Sequence, residues 1–261
     1  MPGSILTALR KSAKDYLNGL YLAGRADRAR FEERILEYDP QAVLLDCGCY
    51  RGEKTPRLLK YTGARQVVGL EYSLDALRQA AQQGVLPIRA DLNQPMPLRA
   101  SAVDVIYASN VIEHLVDPQL FVQEMLRVLR PGGYLVLDTP NLASWHNIFA
   151  LLIGRQPFSG PNITHMEDSD VPLVRELHRR THGLPEQGET TFNEREYTRH
   201  LVVMAYRSLL EMVTRAGFKI VEKSGSGYFP LPPLLARLFQ RLDPAHAHHV
   251  TFKAVKPPDV L

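Results

Sequence analysis

The chain has 261 residues, of which 45% are hydrophobic and 23% are charged, and its formal net charge is +3. This composition predicts a well-packed globular protein rather than a disordered one, and it lacks the dense Lys and Arg block of a nucleic-acid surface. The chain contains no uninterrupted apolar run of about 18 residues and no secretory signal pattern at its start, so we expect a cytoplasmic protein.

Residues 1–38 hold the patterns LTALRKSAKDYLNGLYLAG and ADRARFEERILEY, which predict two helices. Short runs rich in β-branched residues follow, and each predicts a buried parallel strand: 42–46, 66–71, 85–91, 103–110 and 134–141. Helical patterns lie between them. Ser73 is placed to begin one helix and Gly84 to end it, while Asp117 is placed to begin another that ends at the Pro-Gly-Gly of 131–133.

Strands that alternate with helices predict βαβ units and an open sheet covered on both faces. Two later runs, 219–227 and 248–256, predict an antiparallel pair that closes this sheet. We therefore expect an α/β protein with a Rossmann-like, doubly wound, seven-stranded sheet that is mostly parallel. In such sheets ligands bind beyond the carboxyl ends of the strands. The polar residues that fall there are Asp46, Glu71, Asp91, Asn110 and Asp138.

The loop after the first strand, CGCYRGEKT, excludes two common phosphate sites. A dinucleotide fingerprint counted from Gly48 needs glycines at positions 50 and 53, which are Tyr50 and Glu53 here, and the spacing of Gly48 and Gly52 is one residue too short for a P-loop. A carboxylate at the start of the next helix would also repel a diphosphate. Glu71 is placed to accept both hydroxyls of a ribose, so the loop favours a nucleoside-like ligand without phosphates.

These residues resemble the class I S-adenosylmethionine-dependent methyltransferases, especially those that act on small molecules. The resemblance is strong over 42–141 and moderate over 200–256, and it includes LLDCGCYRG, NVIEHLVDP and LRVLRPGGYLVLDTPN. Tyr50 stands where the family usually has its middle glycine. The resemblance implies the following contacts to S-adenosylmethionine: Asp46, Gly48, Tyr50, Gly52, Glu71, Tyr72, Asp91, Leu92 and Asn110.

Within that set, the resemblance places the methionine part of the donor at Asp46, Gly48 and Gly52, and the transferred methyl near Asn110. Glu71 would hold the ribose, and Asp91 with Leu92 would hold the adenine. The three carboxylates of this set also have alternative structural roles. Asp46 and Glu71 could cap neighbouring helices, and Asp91 could cap the turn DLNQP.

His114 and Asp138 are the candidate catalytic residues. His114 follows the fourth strand by four residues, and in similar O-methyltransferases a histidine at this place acts as the general base, because imidazole can accept a proton near neutral pH. Asp138 could orient that histidine or take the proton itself. The alternatives are that His114 packs at a helix entry and that Asp138 caps the loop after its strand.

We expect no metal site. Cys47 and Cys49 are too few for a zinc cage and are expected to be packing residues. The histidines of HAHH, at 246, 248 and 249, precede the final strand, on which the first two would share one face and the third would point away.

Residues 142–200 depart from the alternating pattern, and we expect a lid or substrate insertion, with a solvated surface insertion as the alternative. Its candidate contacts are Trp145, His146, His165, Arg175, Arg179 and Arg180. The expected organisation is therefore a helical cap (1–38) over the donor site, a donor-binding core (39–141), the insertion (142–200) and the end of the sheet (201–261).

Residues 228–244, YFPLPPLLARLFQRLDP, predict a short amphipathic helix. We expect its leucines to pack against the sheet, and docking on a membrane that carries a lipid-linked substrate is the alternative.

The sequence thus predicts methyl transfer from S-adenosylmethionine to an oxygen or nitrogen of a small molecule, with a sugar, a glycosylated metabolite or a lipid-linked metabolite as the acceptor classes considered. The alternatives are an RNA or protein methyltransferase and a non-catalytic protein that only binds S-adenosylmethionine. We expect a small-molecule partner, no nucleic acid, and at most peripheral contact with a membrane. Neither the acceptor nor the oligomeric state can be read from the sequence.

Overall fold

A computed structural model gives the fold and describes residues 2–161 and 200–258, with the backbone alone at 2–11, 13 and 14. Its strands are β1 (Val43–Cys47), β2 (Gln66–Glu71), β3 (Val85–Arg89), β4 (Val103–Ser109), β5 (Leu129–Pro140), β6 (Lys219–Ser226) and β7 (His249–Val255). They form one sheet in the order β3-β2-β1-β4-β5-β7-β6. All neighbours are parallel except that β7 runs antiparallel to β5 and β6. The predicted fold class is confirmed.

The described helices are α1 (Pro2–Ile35), α2 (Thr55–Thr62), α3 (Leu74–Gln82), α4 (Pro118–Val128), α5 (Trp145–Leu152), α6 (Tyr206–Arg215) and α7 (Pro233–Leu242). The predicted caps are confirmed, because Ser73 accepts a hydrogen bond from the Ala76 amide and Asp117 accepts one from the Leu120 amide. The end of α4 differs from the prediction. The helix stops at Val128, and residues 131–133 already belong to β5.

The two helices expected in residues 1–38 form a single helix, α1, of 34 residues. Gly24, which joins the two sequence patterns, does not interrupt it. A Cβ atom at Gly24 would lie 3.1 Å from the Cα atom of Gly227, so this glycine lets α1 approach the loop after β6 closely. The glycine reflects a tertiary contact and not a helix end.

The sheet is covered on both faces. On one face, Leu45 and Ile106 of the central strands pack with Phe121 of α4 and Leu209 of α6. On the other face, apolar strand residues pack with the first three helices: Leu44, Val67 and Val105 with Ile35, Leu58 and Leu77. Central strands buried on both faces explain why their sequences are continuous apolar runs.

The apolar side of α7 faces solvent, so the expectation that it packs against the sheet is wrong. Leu234 and Leu242 are 79% and 70% exposed, whereas Ala236 and Gln240 are buried. Leu235, Leu238 and Phe239 are also exposed. The helix contacts the protein through its narrow polar and small-residue side. None of the described helices is both long enough and apolar enough to cross a membrane.

Four of the predicted insertion contacts lie outside the described residues: His165, Arg175, Arg179 and Arg180. The described start of the insertion contains α5, whose first residue, Trp145, donates hydrogen bonds to the Tyr228 hydroxyl at 3.0 Å and the Asp243 carboxylate at 3.3 Å. Because Asp243 follows α7 directly, α5 and α7 meet at this point.

Candidate active site

The sheet order changes direction between β1 and β4, which are adjacent and parallel, with Asp46 in register with Tyr107. The helix after β1 therefore lies on one face of the sheet and the helix after β4 on the other, which opens a crevice at the carboxyl ends of the two strands. The loops after β1, β2 and β4 border this crevice. They contain most of the residues predicted to bind the donor.

Two glycines and one tyrosine in the loop after β1 have left-handed backbone conformations. Gly48, Tyr50 and Gly52 have φ angles of +67°, +46° and +74°, in the left-handed region. A Cβ atom at Gly48 would lie 2.6 Å from the Val111 side chain, so the loop after β4 also requires glycine there. Tyr50 is 48% exposed, and the Arg51 guanidinium lies 4.9 Å from its ring centroid.

Glu71 holds this loop in place. One of its carboxylate oxygens accepts a hydrogen bond from the Tyr50 amide at 3.1 Å, and the other accepts one from the Ser73 amide at 2.9 Å. Glu71 therefore has a structural role, although Ser73 and not Glu71 caps the helix that follows β2. A carboxylate has about four acceptor positions, so two amides leave capacity for two ribose hydroxyls.

Asp46 is buried, with 3% of its surface exposed. Burial is the main cause that raises the pKa of its carboxyl to about 7; Lys54 opposes this shift, and Glu71 and Glu32 act with burial. Burial also lowers the pKa of Lys54, and Arg28 acts in the same direction, whereas Glu32 opposes it. Burial thus disfavours the charged form of both groups, so a bound ligand of opposite charge would stabilise each of them.

Helix α1 places a group of charged residues over the same edge of the sheet. Glu32 of α1 pairs with Arg57 and accepts a hydrogen bond from the Tyr107 hydroxyl at 2.9 Å. The Lys54 ammonium lies 5.3 Å from the centroid of the Tyr107 ring. The sequence patterns do not indicate these contacts. Lys54 carries no local signal of a binding role, and nothing in a surface-like helix pattern indicates that Glu32 would be 2% exposed.

Asp138 is engaged on both oxygens. One oxygen lies 3.2 Å from the Arg28 guanidinium and 3.1 Å from the Ser109 hydroxyl, and the other lies 3.0 Å from the Thr251 hydroxyl and 3.3 Å from His249 Nδ1. Burial opposes ionisation of Asp138, but Arg28 and His249 outweigh it and hold its pKa below the usual range. A carboxylate so stabilised accepts a proton poorly, which favours a structural role over that of a base.

The adenine side of the predicted site lies after β3. Asp91 accepts hydrogen bonds from the amide and side chain of Asn93 at 2.9 and 3.1 Å, so it caps the turn as the alternative proposed. Leu92 beside it is buried, and Tyr72 is 40% exposed, with the Arg89 guanidinium 5.4 Å from its ring. A turn cap and an adenine contact are compatible, because a carboxylate has two oxygens.

The loop after β4 carries Asn110, Glu113 and His114. Asn110 has a φ angle of +56°, its amide donates to the Asp138 carbonyl at 2.9 Å, and its side-chain oxygen is buried without a hydrogen-bond donor among the described residues. His114 is half-buried, and its ring centroid lies 4.9 Å from that of His200. Sequence analysis named Asn110 and His114 but neither Glu113 nor His200.

His146 of the predicted insertion and the histidines of HAHH have aromatic or charged neighbours. His146 packs against Phe158 and His248, and burial lowers its pKa to about 3. His246 lies 2.8 Å from Asp243. His249 begins β7 and contacts Asp138, as described above. The rings of His248 and His249 lie with their centroids 4.6 Å apart, whereas His246 pairs with Asp243. Cys47 and Cys49 are buried free thiols, as expected.

Comparison with known proteins gives a matching family and relatives for the core. Residues 45–137 match the family model described as a methyltransferase domain. A trans-aconitate 2-methyltransferase of Azoarcus sp. (strain BH72) is 35% identical over 127 residues, which are 46% of this chain and 49% of that protein. A malonyl-[acyl-carrier protein] O-methyltransferase of Herminiimonas arsenicoxydans is 29% identical over 115 residues, 44% of each chain. The chain spans about half the length of these relatives.

Solved structures share the fold over more of the chain. An S-adenosylmethionine-dependent methyltransferase from Mesorhizobium loti superimposes with a TM-score of 0.57, covering 90% of this chain and 99% of that one at 20% sequence identity. At that identity the likeness establishes the architecture alone.

Proposed function

We propose that this chain is a class I S-adenosylmethionine-dependent methyltransferase, because residues 45–137 match a methyltransferase domain, and that it transfers a methyl group from that donor to an oxygen or nitrogen of a small acceptor molecule. The observation that carries the proposal is the glycine loop after β1, held by Glu71 at the crevice between β1 and β4. The matched segment includes this loop, the end of β1 and all of β4.

The charges in the crevice suit the zwitterionic methionine part of the donor. Asp46 would pair with the donor's ammonium group and Lys54 with its carboxylate. The buried oxygen of Asn110 would accept a hydrogen bond from the donor, which would remove the cost of an unpaired buried acceptor, about 1–3 kcal/mol. On the other side of the loop, Glu71 would hold the ribose hydroxyls, and Tyr72, Asp91 and Leu92 would border the adenine.

In the reaction, a lone pair of the acceptor forms a bond to the methyl carbon while the carbon–sulfur bond breaks and its electron pair remains on sulfur. The products are the methylated acceptor and S-adenosylhomocysteine. Most of the rate gain comes from alignment of the acceptor with the carbon–sulfur bond. We propose that His114, beyond the end of β4, meets the acceptor and, as a neutral imidazole, can take its proton.

The exposed apolar sides of α5 and α7 favour a lipid-linked acceptor among the classes considered. In addition to the leucines of α7, Phe149 and Leu152 of α5 are 59% and 80% exposed. Arg155 and Arg241, which follow or belong to these helices, are exposed as well. Two adjoining apolar helices with nearby arginines suit the surface of an anionic membrane. The relatives named above act on an organic acid and on a protein-bound acyl group by their names, so they leave this choice open.

Titration calorimetry of Glu71→Gln with S-adenosylmethionine tests the donor site. The substitution preserves side-chain size but removes the charge and one acceptor oxygen, so we expect the dissociation constant to rise about 10- to 100-fold, the scale for charge-assisted hydrogen bonds. Glu211→Gln on α6, which loses only a surface pair with Arg215, is the control and should bind like the parent.

An unchanged affinity in Glu71→Gln would reject the ribose assignment. The reaction itself is tested by incubating the protein with methyl-labelled donor and extracted metabolites, including a lipid fraction. Label in an extracted molecule, with an equal amount of S-adenosylhomocysteine, supports the proposal. Donor binding without transfer to any fraction would favour the non-catalytic alternative.

A further inference from the structure

Glu113, His114 and His200 bring three metal-ligating side chains together beyond the end of β4. One carboxylate oxygen and two imidazole nitrogens, one from each residue, all lie within 4.8 Å of one another. Ligand atoms about 2.0–2.2 Å from a zinc ion are roughly 3 to 3.5 Å apart, so a modest side-chain rotation would complete the set. Glu113 and His200 are buried and His114 is half-buried.

Glu113 has a carboxylate oxygen that nothing else in the described structure explains. Oε2 accepts a hydrogen bond from the Thr139 hydroxyl at 2.9 Å. Oε1 is buried and has no hydrogen-bond donor among the described residues, although Glu113 is 0% exposed. A buried carboxylate oxygen without a partner is costly. This oxygen therefore points to a ligand that supplies positive charge.

His200 is oriented as a metal-binding histidine would be. Its Nδ1 lies 2.6 Å from the carbonyl oxygen of Ser159. A carbonyl can only accept, so Nδ1 carries the proton and Nε2 of the neutral ring presents a lone pair. Metal-bound histidines commonly have their second ring nitrogen held by a backbone carbonyl in this way.

We propose that Glu113, His114 and His200 form a site for a divalent transition-metal ion, with Zn²⁺ as the expected occupant. Two imidazoles and one carboxylate form the ligand set of catalytic zinc sites, which keep a further position for water or substrate. Mg²⁺ prefers oxygen ligands and an octahedral shell, so this donor set disfavours it.

The role of this ion rests on the proposed methyl transfer, whereas its binding does not. A hydroxyl acceptor would occupy the open position through its oxygen and lose its proton to water, because the lone pair of His114 is then used for coordination. The acceptor oxygen would bond to the methyl carbon, and the electron pair of the broken carbon–sulfur bond would stay on sulfur. The ion would hold the acceptor oxygen and favour its deprotonated form.

Co²⁺ titration of the full-length, untagged protein, after treatment with a chelator and dialysis, tests the binding. We expect visible absorption of a tetrahedral or five-coordinate Co²⁺ site that saturates at one ion per chain and is abolished by Zn²⁺. Glu113→Gln, which preserves shape, and His200→Asn should each weaken binding by about 100-fold or more. His246→Asn is the matched control, because it removes a histidine that pairs with Asp243 instead.

Circular dichroism and donor titration of the metal-free variants show whether they remain folded. No saturable Co²⁺ binding by the parent protein, or unchanged binding in the folded Glu113→Gln and His200→Asn variants, would overturn the site. Once an acceptor is known, turnover that is unaffected by complete metal removal would overturn the ion's role in the reaction. His114 would then retain its proposed role as the proton acceptor. Metal binding without donor binding would retain the site and reject the proposed function.

Discussion

Tyr50 is the residue at which the loop after β1 differs from the methyltransferase pattern that it resembles. Its φ angle of +46° is one that glycine adopts without strain and that costs other residues roughly 1–2 kcal/mol. Its amide is bound to Glu71, and its ring lies at the surface with Arg51 nearby. A strained side chain retained beside a binding loop suggests a role in binding, which we propose is to cover the methionine part of the donor.

The substitution Tyr50→Gly distinguishes the energetic cost of the left-handed backbone from the proposed role of the ring in covering the donor. We expect the free energy of unfolding to rise by up to about 1 kcal/mol, because relief of the left-handed strain exceeds the entropy that glycine adds to the unfolded chain. Donor affinity should fall in Tyr50→Gly and be preserved in Tyr50→Phe. Chemical denaturation and calorimetry measure the two effects. Tighter donor binding by the glycine variant would show that the ring is an obstacle.

Asp46, which we propose pairs with the donor's ammonium group, should make donor binding depend on pH. Its pKa, raised to about 7 by burial, falls when a bound ammonium group favours the carboxylate, so the donor site should release a proton on binding. We expect the affinity for S-adenosylhomocysteine to increase between about pH 5.5 and 7.5. Asp46→Asn should bind more weakly and lose most of this slope. Calorimetry at several pH values measures both, and an equal slope in the two proteins would refute the assignment.

The raised pKa of Asp46 also makes the stability of the fold depend on pH. A folded-state pKa above the ordinary value means that the folded protein retains a proton that the unfolded chain releases, so stability is lost as pH rises from about 4 through about 7. Asp46→Asn lacks this loss. Its melting temperature relative to the parent should therefore be higher at pH 8 than at pH 5, and a difference that does not vary with pH would show that Asp46 ionises normally in the fold.

At the scale of elements, α5 and α7 are the helices whose apolar sides the fold leaves uncovered in the described structure. They adjoin where Trp145 donates to Tyr228 and Asp243, and its indole stacks on the His246 ring with centroids 4.7 Å apart. Arg237 on the opposite side of α7 pairs with Asp27 of α1 at 3.0 Å. The helix is thus fixed to the protein while its leucines face outward.

Vesicle flotation tests whether this surface binds lipid. The parent protein should associate with vesicles that contain anionic phospholipid, and the double substitution Leu234→Ser with Leu242→Ser should reduce the bound fraction about tenfold or more, since each leucine contributes roughly 1.5–3 kcal/mol on burial. Both leucines are largely exposed, so folding should be unaffected. Leu86→Ser, an exposed leucine on β3 at the other edge of the sheet, is the control. Equal binding by both variants would exclude this surface.

At the scale of the whole molecule, α1 connects the chain's beginning to its end across the proposed donor site. Arg28 reaches Asp138 of β5 and contacts His249 of β7, and Glu32 reaches Arg57 of α2. The two contacts of Arg28 join segments more than 100 residues apart in the sequence. Opposite charges in these contacts stabilise one another, which explains how charged groups can be buried near Asp46 and Lys54, where there is little water.

Sequence patterns were enough to predict the sheet, the order of its elements and the loop that we propose holds the donor. Apolar runs mark strands that are buried on both faces. Gly48, Gly52 and Glu71 can be recognised from their spacing after these strands, without knowledge of how the chain packs. Three features depend on the tertiary structure. Glu113, His114 and His200 come together, and α1 buries Arg28 and Glu32. In addition, the leucines of α7 face outward. The physical reason is that pairing between distant segments, and the burial it produces, depend on how the layers pack, whereas a sequence pattern shows only that a helix has an apolar side and not what covers it.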